Sequence, residues 1–162
     1  MTLEIGALAP EFALEGIDGR SYSLREALPT GPTLLLFFKA NCSACELAFP
    51  YMNRLASVYS DGWQLWAVAQ EPPDRAREYA GRYSMRYPVL PDTLDYNVSK
   101  QYDPPAAPTF FLVGPDGRVA FSSHGFSKDD LNEMSRLIAE RLGVEPQVVA
   151  PPDDGQPAFR PG

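Results

Sequence analysis

The chain has 162 residues, 44% hydrophobic and 12% aromatic, with a formal net charge of −7 and a pI near 4.7, which suits one soluble domain with a single sizeable core. The acidic balance, with no run of Lys or Arg, excludes an electrostatic footprint for nucleic acid or an anionic membrane surface. The longest apolar run, Leu34 to Phe38, is far short of the roughly 20 residues that cross a bilayer, so no membrane segment is expected.

The opening "MTLEIGALAPEF" lacks the basic and apolar regions of a secretory leader. As written the chain is expected in the cytoplasm; removal of a leader or anchor would make it periplasmic or otherwise extracytoplasmic. Next, "APEFALEGIDGRSYSLREAL" places two short segments around Asp18-Gly19, a dipeptide that tolerates positive φ, and so predicts a hairpin. "TLLLFF", Thr33 to Phe38, is apolar without alternation and predicts a central strand buried on both faces.

From Ser43 to Ser60 the apolar positions Leu47, Ala48, Tyr51, Met52, Leu55, Val58 and Tyr59 recur near the helical period. Pro50 lies inside this helix, where its missing N–H should bend it. A strand, "WQLWAVA", follows, then a second helix opening at Pro73 with Ala76, Tyr79, Ala80 and Tyr83 on one face.

"YPVLPD" reads as a short strand and "LDYNVSKQY", from Leu94, as a short helix; "APTFFLVGPDGRVAFSSH" reads as two strands turning at "GPDG". Ser127, with Asp130 three residues on, caps a last helix whose stripe runs from Leu131 to Leu142 and stops at Gly143. Residues 144–162 are rich in Pro and Gly without helical period and are expected to form an irregular tail that trails in solvent or, alternatively, covers the active-site face. The order predicts a domain over residues 1–143 and a tail over 144–162. Its architecture is α/β: a central mixed β-sheet flanked by helices, with an N-terminal β-hairpin extension.

Cys42 and Cys45, the only cysteines, fall where the central strand gives way to its helix. Three readings are open: a redox centre, half of a metal site, or two buried thiols. Zinc needs a second pair of nitrogen or sulfur ligands, and His124 is the one candidate. A thiolate on Cys42 would face the unpaired N–H groups and positive dipole of the helix, which lowers its pKa. Cys45, a turn further in, could resolve a mixed disulfide formed on Cys42. This setting favours thiol-disulfide exchange, in either direction, with no metal or other cofactor.

"LLLFFKANCSACELAFPYMNRL" resembles the active-site segment of thioredoxin-like proteins: a strand, C-x-x-C, and a proline five positions after the second Cys, here Pro50. "AAPTFFLVGPDGRV" resembles the later segment in which a cis-proline opens a strand, making Pro108 the candidate. With the opening hairpin and "YPVLPDTLDYNVSKQYDPPAAPT", the chain from about Ile5 to Gly143 resembles the TlpA/ResA-like branch, thiol-disulfide oxidoreductases related to the redoxin and AhpC/TSA group.

The resemblance implies a thioredoxin-like fold with Cys42 as nucleophile and Cys45 as resolving thiol. It also implies substrate contacts at Ala107, Pro108 and Asn41. Protein or small-molecule disulfides and dithiols would be its substrates, with an unidentified electron-transfer partner and the chain itself a monomer.

Several positions depart from the pattern. Asn41 replaces the usual Trp, Ser43-Ala44 the usual proline-bearing pair, and Leu36 and Ala48 the acids of related proteins. Lys39 and Glu46 are the charged residues nearest the thiols in sequence and candidates for tuning their pKa. A peroxidase is one rival reading, but neither alignment of the peroxidatic P-x-x-x-T-x-x-C works: Leu35 and Lys39, or Phe38 and Cys42, stand for the proline and threonine. A non-enzymatic binding module or redox sensor is the other.

Overall fold

The computed structural model describes residues 1–93 and 95–162; Leu94, at the start of the expected short helix, lies outside them. Strands β1 (Ala13–Glu15) and β2 (Ser21–Ser23) pair antiparallel with Ala13 opposite Ser23. Gly19 takes φ +80° in their turn, and Asp18 Oδ1 accepts from the Arg20 N–H at 3.0 Å. The hairpin expected at Asp18-Gly19 is therefore present. A short helix, α1 (Leu24–Ala27), follows and buries Leu24 beside Phe12 and Trp66.

The main sheet contains β3 (Thr33–Phe38), β4 (Gln64–Ala69), β5 (Val89–Pro91), β6 (Thr109–Val113) and β7 (Val119–His124). Their order is β5-β4-β3-β6-β7, so β3 is central. It runs parallel to β4 and antiparallel to β6. Leu34, Leu36 and Phe38 join a core with Phe49, Met52 and Leu55, while Leu35 and Phe37 join another with Phe12, Tyr102 and Phe111. Both faces are covered, so the strand shows no apolar-polar alternation. Burying each of these side chains contributes at most about 1.5–3 kcal/mol.

Helix α2 (Ser43–Val58) connects β3 to β4 and runs on through Pro50, ending two residues before the expected Ser60. Helix α3 (Pro73–Arg82) opens on the proline that its sequence predicts, and α4 (Asn97–Tyr102) precedes β6. His124 is the last residue of β7, opposite Thr109. Strand β8 (Phe126–Ser127) leads into α5 (Lys128–Leu142), where Ser127 Oγ accepts from the Asp130 N–H at 3.2 Å and Gly143 takes φ +69° at the other end. Among the described residues no helix is long and apolar enough to cross a membrane.

Residues 144–162 do not trail in solvent. Val149 and Ala150 are 0% and 1% exposed and belong to the core around α2 and α5. Polar side chains from those helices bind the backbone of this aperiodic stretch. The Gln147 N–H donates to Tyr59 Oη at 2.7 Å, the Ala150 N–H donates to Asn132 Oδ1 at 2.9 Å, and Arg54 donates to the Val149 carbonyl at 2.7 Å. Buried Lys128 donates to the Pro151 carbonyl, Asp154 Oδ1 and the Gln156 carbonyl at 2.8, 2.6 and 3.0 Å. The stretch ends in β9 (Phe159–Arg160), antiparallel to β8 with Arg160 opposite Phe126.

Candidate active site

Lys39 to Cys42 turn the chain from β3 into α2, and Asn41 makes the turn possible with φ +56°. Asn tolerates this left-handed conformation better than most residues because its short polar side chain bonds locally. Its N–H donates to Tyr79 Oη at 2.8 Å, and Arg75 donates to its Oδ1 at 3.4 Å. The preceding Ala40 N–H donates to Glu71 Oε2 at 3.1 Å. Glu71 follows β4, and Arg75 and Tyr79 belong to α3. Three residues distant in sequence thus hold the turn; the sequence pattern marks Tyr79 as an apolar position only.

Cys42 is the N-cap of α2, with an extended φ of −121°. Its sulfur accepts from the Cys45 N–H at 3.2 Å, as a capping oxygen would. In the thiol form it donates to the Ala107 carbonyl, also at 3.2 Å. Both cysteines are free thiols. Cys42 keeps 7% of its surface in contact with solvent and Cys45 none. Solvent access and the capping bonds both single out Cys42.

The electrostatics follow that asymmetry. The Cys45 thiol donates to the Cys42 sulfur, and this bond, with the Cys45 and Ala44 N–H groups and the charge of Lys39, outweighs burial and lowers the Cys42 pKa from 9.0 to about 6. Burial first, then the same bond, pushes the Cys45 thiol far up. Lys39 thus acts on Cys42 by charge, although it is exposed. Glu46 instead faces the Tyr83 hydroxyl, whose pKa rises mainly through burial and next through that acid.

The Ala107–Pro108 bond is cis. Ala107 is 6% exposed, and its carbonyl is the one that accepts from Cys42. The Pro108 carbonyl accepts from the Gly125 N–H at 2.8 Å, which ties this loop to the start of β8. Leu36 and Ala48, at the positions of the missing acids, are fully buried in the core beside Cys45. Among the described residues no group of three His, Cys, Asp or Glu side chains is placed to hold a metal ion.

A central strand leading to a capped dithiol, faced by a cis-proline loop, defines a thioredoxin-like thiol-disulfide oxidoreductase. Known proteins resemble the chain in both sequence and shape. The model of the AhpC/TSA family matches residues 5–122. Thiol-disulfide oxidoreductase ResA of Geobacillus thermodenitrificans is 31% identical over 137 residues, 83% of this chain and 78% of the relative. The ResA protein of Bacillus subtilis is 34% identical over 116 residues, 70% of this chain and 64% of its own.

Among solved structures, a Chlorobium tepidum protein with the provisional name thiol:disulfide interchange protein DsbE superimposes with a TM-score of 0.78 at 27% identity, covering 88% of this chain and 100% of that one. The thioredoxin domain of a Bacteroides vulgatus thiol-disulfide oxidoreductase shares the fold, with a TM-score of 0.75 at 22% identity over 85% of this chain and 99% of that one. The chain belongs to the AhpC/TSA family.

Proposed function

We propose that the chain exchanges thiols and disulfides on protein or small-molecule substrates, with Cys42 as the attacking sulfur and Cys45 as the resolving one. The unequal setting of the two thiols supports this reading: Cys42 caps α2 and keeps contact with solvent, which with its lowered pKa suits the attacking thiolate, whereas Cys45 is fully buried and its pKa is raised.

The Cys42 thiolate attacks one sulfur of the substrate disulfide, forming a mixed disulfide and releasing the other sulfur as a thiolate. Cys45 then gives up its proton, attacks Cys42 Sγ and expels the second substrate sulfur. The substrate gains two electrons and the Cys45 proton, its second thiolate taking a proton from solvent, and the protein retains a Cys42–Cys45 disulfide. With Leu36 and Ala48 in place of carboxylic acids, the departing substrate thiolate is the base that collects the Cys45 proton. Ala107 and Pro108 present the edge along which a substrate segment lies, and Asn41 borders it. A dithiol partner reverses the sequence to restore the reduced form.

Insulin reduction with Cys42→Ser and Cys45→Ser variants tests the assignment. Cys42→Ser should lose activity, and Cys45→Ser should accumulate the mixed disulfide. Full activity in Cys42→Ser would overturn it.

A further inference from the structure

The segment beyond Gly143 reaches the dithiol site. It is anchored at Val149 and Ala150, clamped by Lys128, and laid along Phe126 and Ser127 as β9. Past β9 it runs over Gly125, where a Cβ would meet the Arg160 carbonyl at 3.0 Å and the Gly162 nitrogen at 3.3 Å. It then meets the cis-proline loop. A Cβ built on Gly162 would collide with the Ala107 carbonyl oxygen and lie 3.0 Å from the Ala106 methyl. That carbonyl is the group bonded to Cys42 Sγ at 3.2 Å, so Gly162 stands two atomic contacts from the reactive sulfur.

We propose that residues Phe159–Gly162 are a specificity-determining segment that occupies the Ala107 edge, so that an extended protein segment reaches Cys42 only by displacing it while a small disulfide does not have to. The proposal rests on the reading of Ala107 as the substrate edge. Exposure at the site agrees with occupancy, since Ala107 keeps only 6% of its surface and Cys42 only 7%.

The holding forces suit displacement. Two paired residues make β9, and Phe159 is 59% exposed, so the tip buries little apolar surface. The anchor at Val149 and Ala150 is fully buried and stays behind when the tip lifts. Tethered so close, the segment competes at the high effective concentration of an intramolecular ligand. Apparent affinity for an extended substrate is then reduced by the fraction of molecules with the edge free.

Two substitutions in the full chain test this. Gly162→Val places a side chain against the Ala107 carbonyl, and Arg160→Pro removes a backbone N–H from the residue opposite Phe126. Cys42 alkylation is compared with iodoacetamide and with a polymer-linked maleimide, and KM is compared for insulin and a small aromatic disulfide. In both variants the bulky reagent should react at least about fivefold faster and the insulin KM should fall in proportion, with iodoacetamide and the small disulfide changed less than about twofold.

Unchanged bulky-reagent rates in both variants, or equal acceleration of both reagents, would overturn the proposal. If neither the parent nor the variants reduced insulin while the bulky reagent still gained selectively, the oxidoreductase reading would fail and the occupancy of the edge would stand.

Discussion

At the scale of single residues, the site depends on an inequality between two chemically identical side chains. Cys42 spends its sulfur capping a helix and Cys45 spends its proton on that sulfur, so one thiol ionises near pH 6 and the other far above neutrality. Iodoacetamide labelling of the reduced protein should therefore rise as pH passes through about 6 and level off above it. The same ionisation sets the slope of the midpoint potential. Below about pH 6 reduction takes up two protons per two electrons and the potential falls by about 59 mV per pH unit; above it one proton is taken up and the slope halves to about 30 mV. A protein-film titration showing a single slope from pH 5 to 8 would contradict the lowered pKa.

Lys39→Met should move the break upward by less than about one unit, since an exposed lysine acts through solvent. Tyr79→Phe leaves the Asn41 N–H without its partner and should cost about 1 kcal/mol in urea unfolding. The cysteine pair is legible from spacing because strand, thiols and helix are adjacent in sequence. Glu71, Arg75 and Tyr79 are not, because their roles come from contacts made more than 30 residues from the turn they hold.

At the scale of elements, local chemistry is readable wherever an element's stability is local. The hairpins at Asp18-Gly19 and Asp116-Gly117 announce themselves because Gly19 and Gly117 supply the positive φ their turns require. Ser127 and Gly143 likewise bound α5. Residues 144–162 carry no period because their partners are side chains of α2 and α5, and no sequence window contains Asn132 together with Ala150 or Arg54 together with Val149.

Asp154 belongs to this set. Its bonds to Lys128 and to the Tyr51 hydroxyl hold its carboxyl below the ordinary 3.8. A depressed carboxylate contributes stability above its unfolded pKa and loses it as pH falls through the folded one. The clamp should therefore weaken below about pH 4, seen as faster amide exchange over residues 151–160 ahead of the sheet, and Lys128→Met should give the same loosening at pH 7. Uniform exchange across the chain would contradict a separable segment.

At the scale of the whole molecule, the five-stranded sheet is the part most legible beforehand. The apolar run Thr33–Phe38 has room for only one explanation once helices cover both faces. Composition changes after Gly143, yet Val149 and Ala150 beyond it complete the core. Val149→Asp should accordingly release the chain beyond Gly143 to limited proteolysis while near-UV dichroism from the sheet persists.

The two-sided burial of β3 has one more consequence. Its odd and even positions face different company: Leu36 shares a core with Cys45, whereas Leu35 packs with the N-terminal hairpin and α4 on the far side. Trimming either to alanine should cost about 2–5 kcal/mol, but only the Leu36 change should shift the dithiol's potential. The sheet is thus a partition: a change behind it alters stability alone, and a change in front of it alters stability and redox poise together.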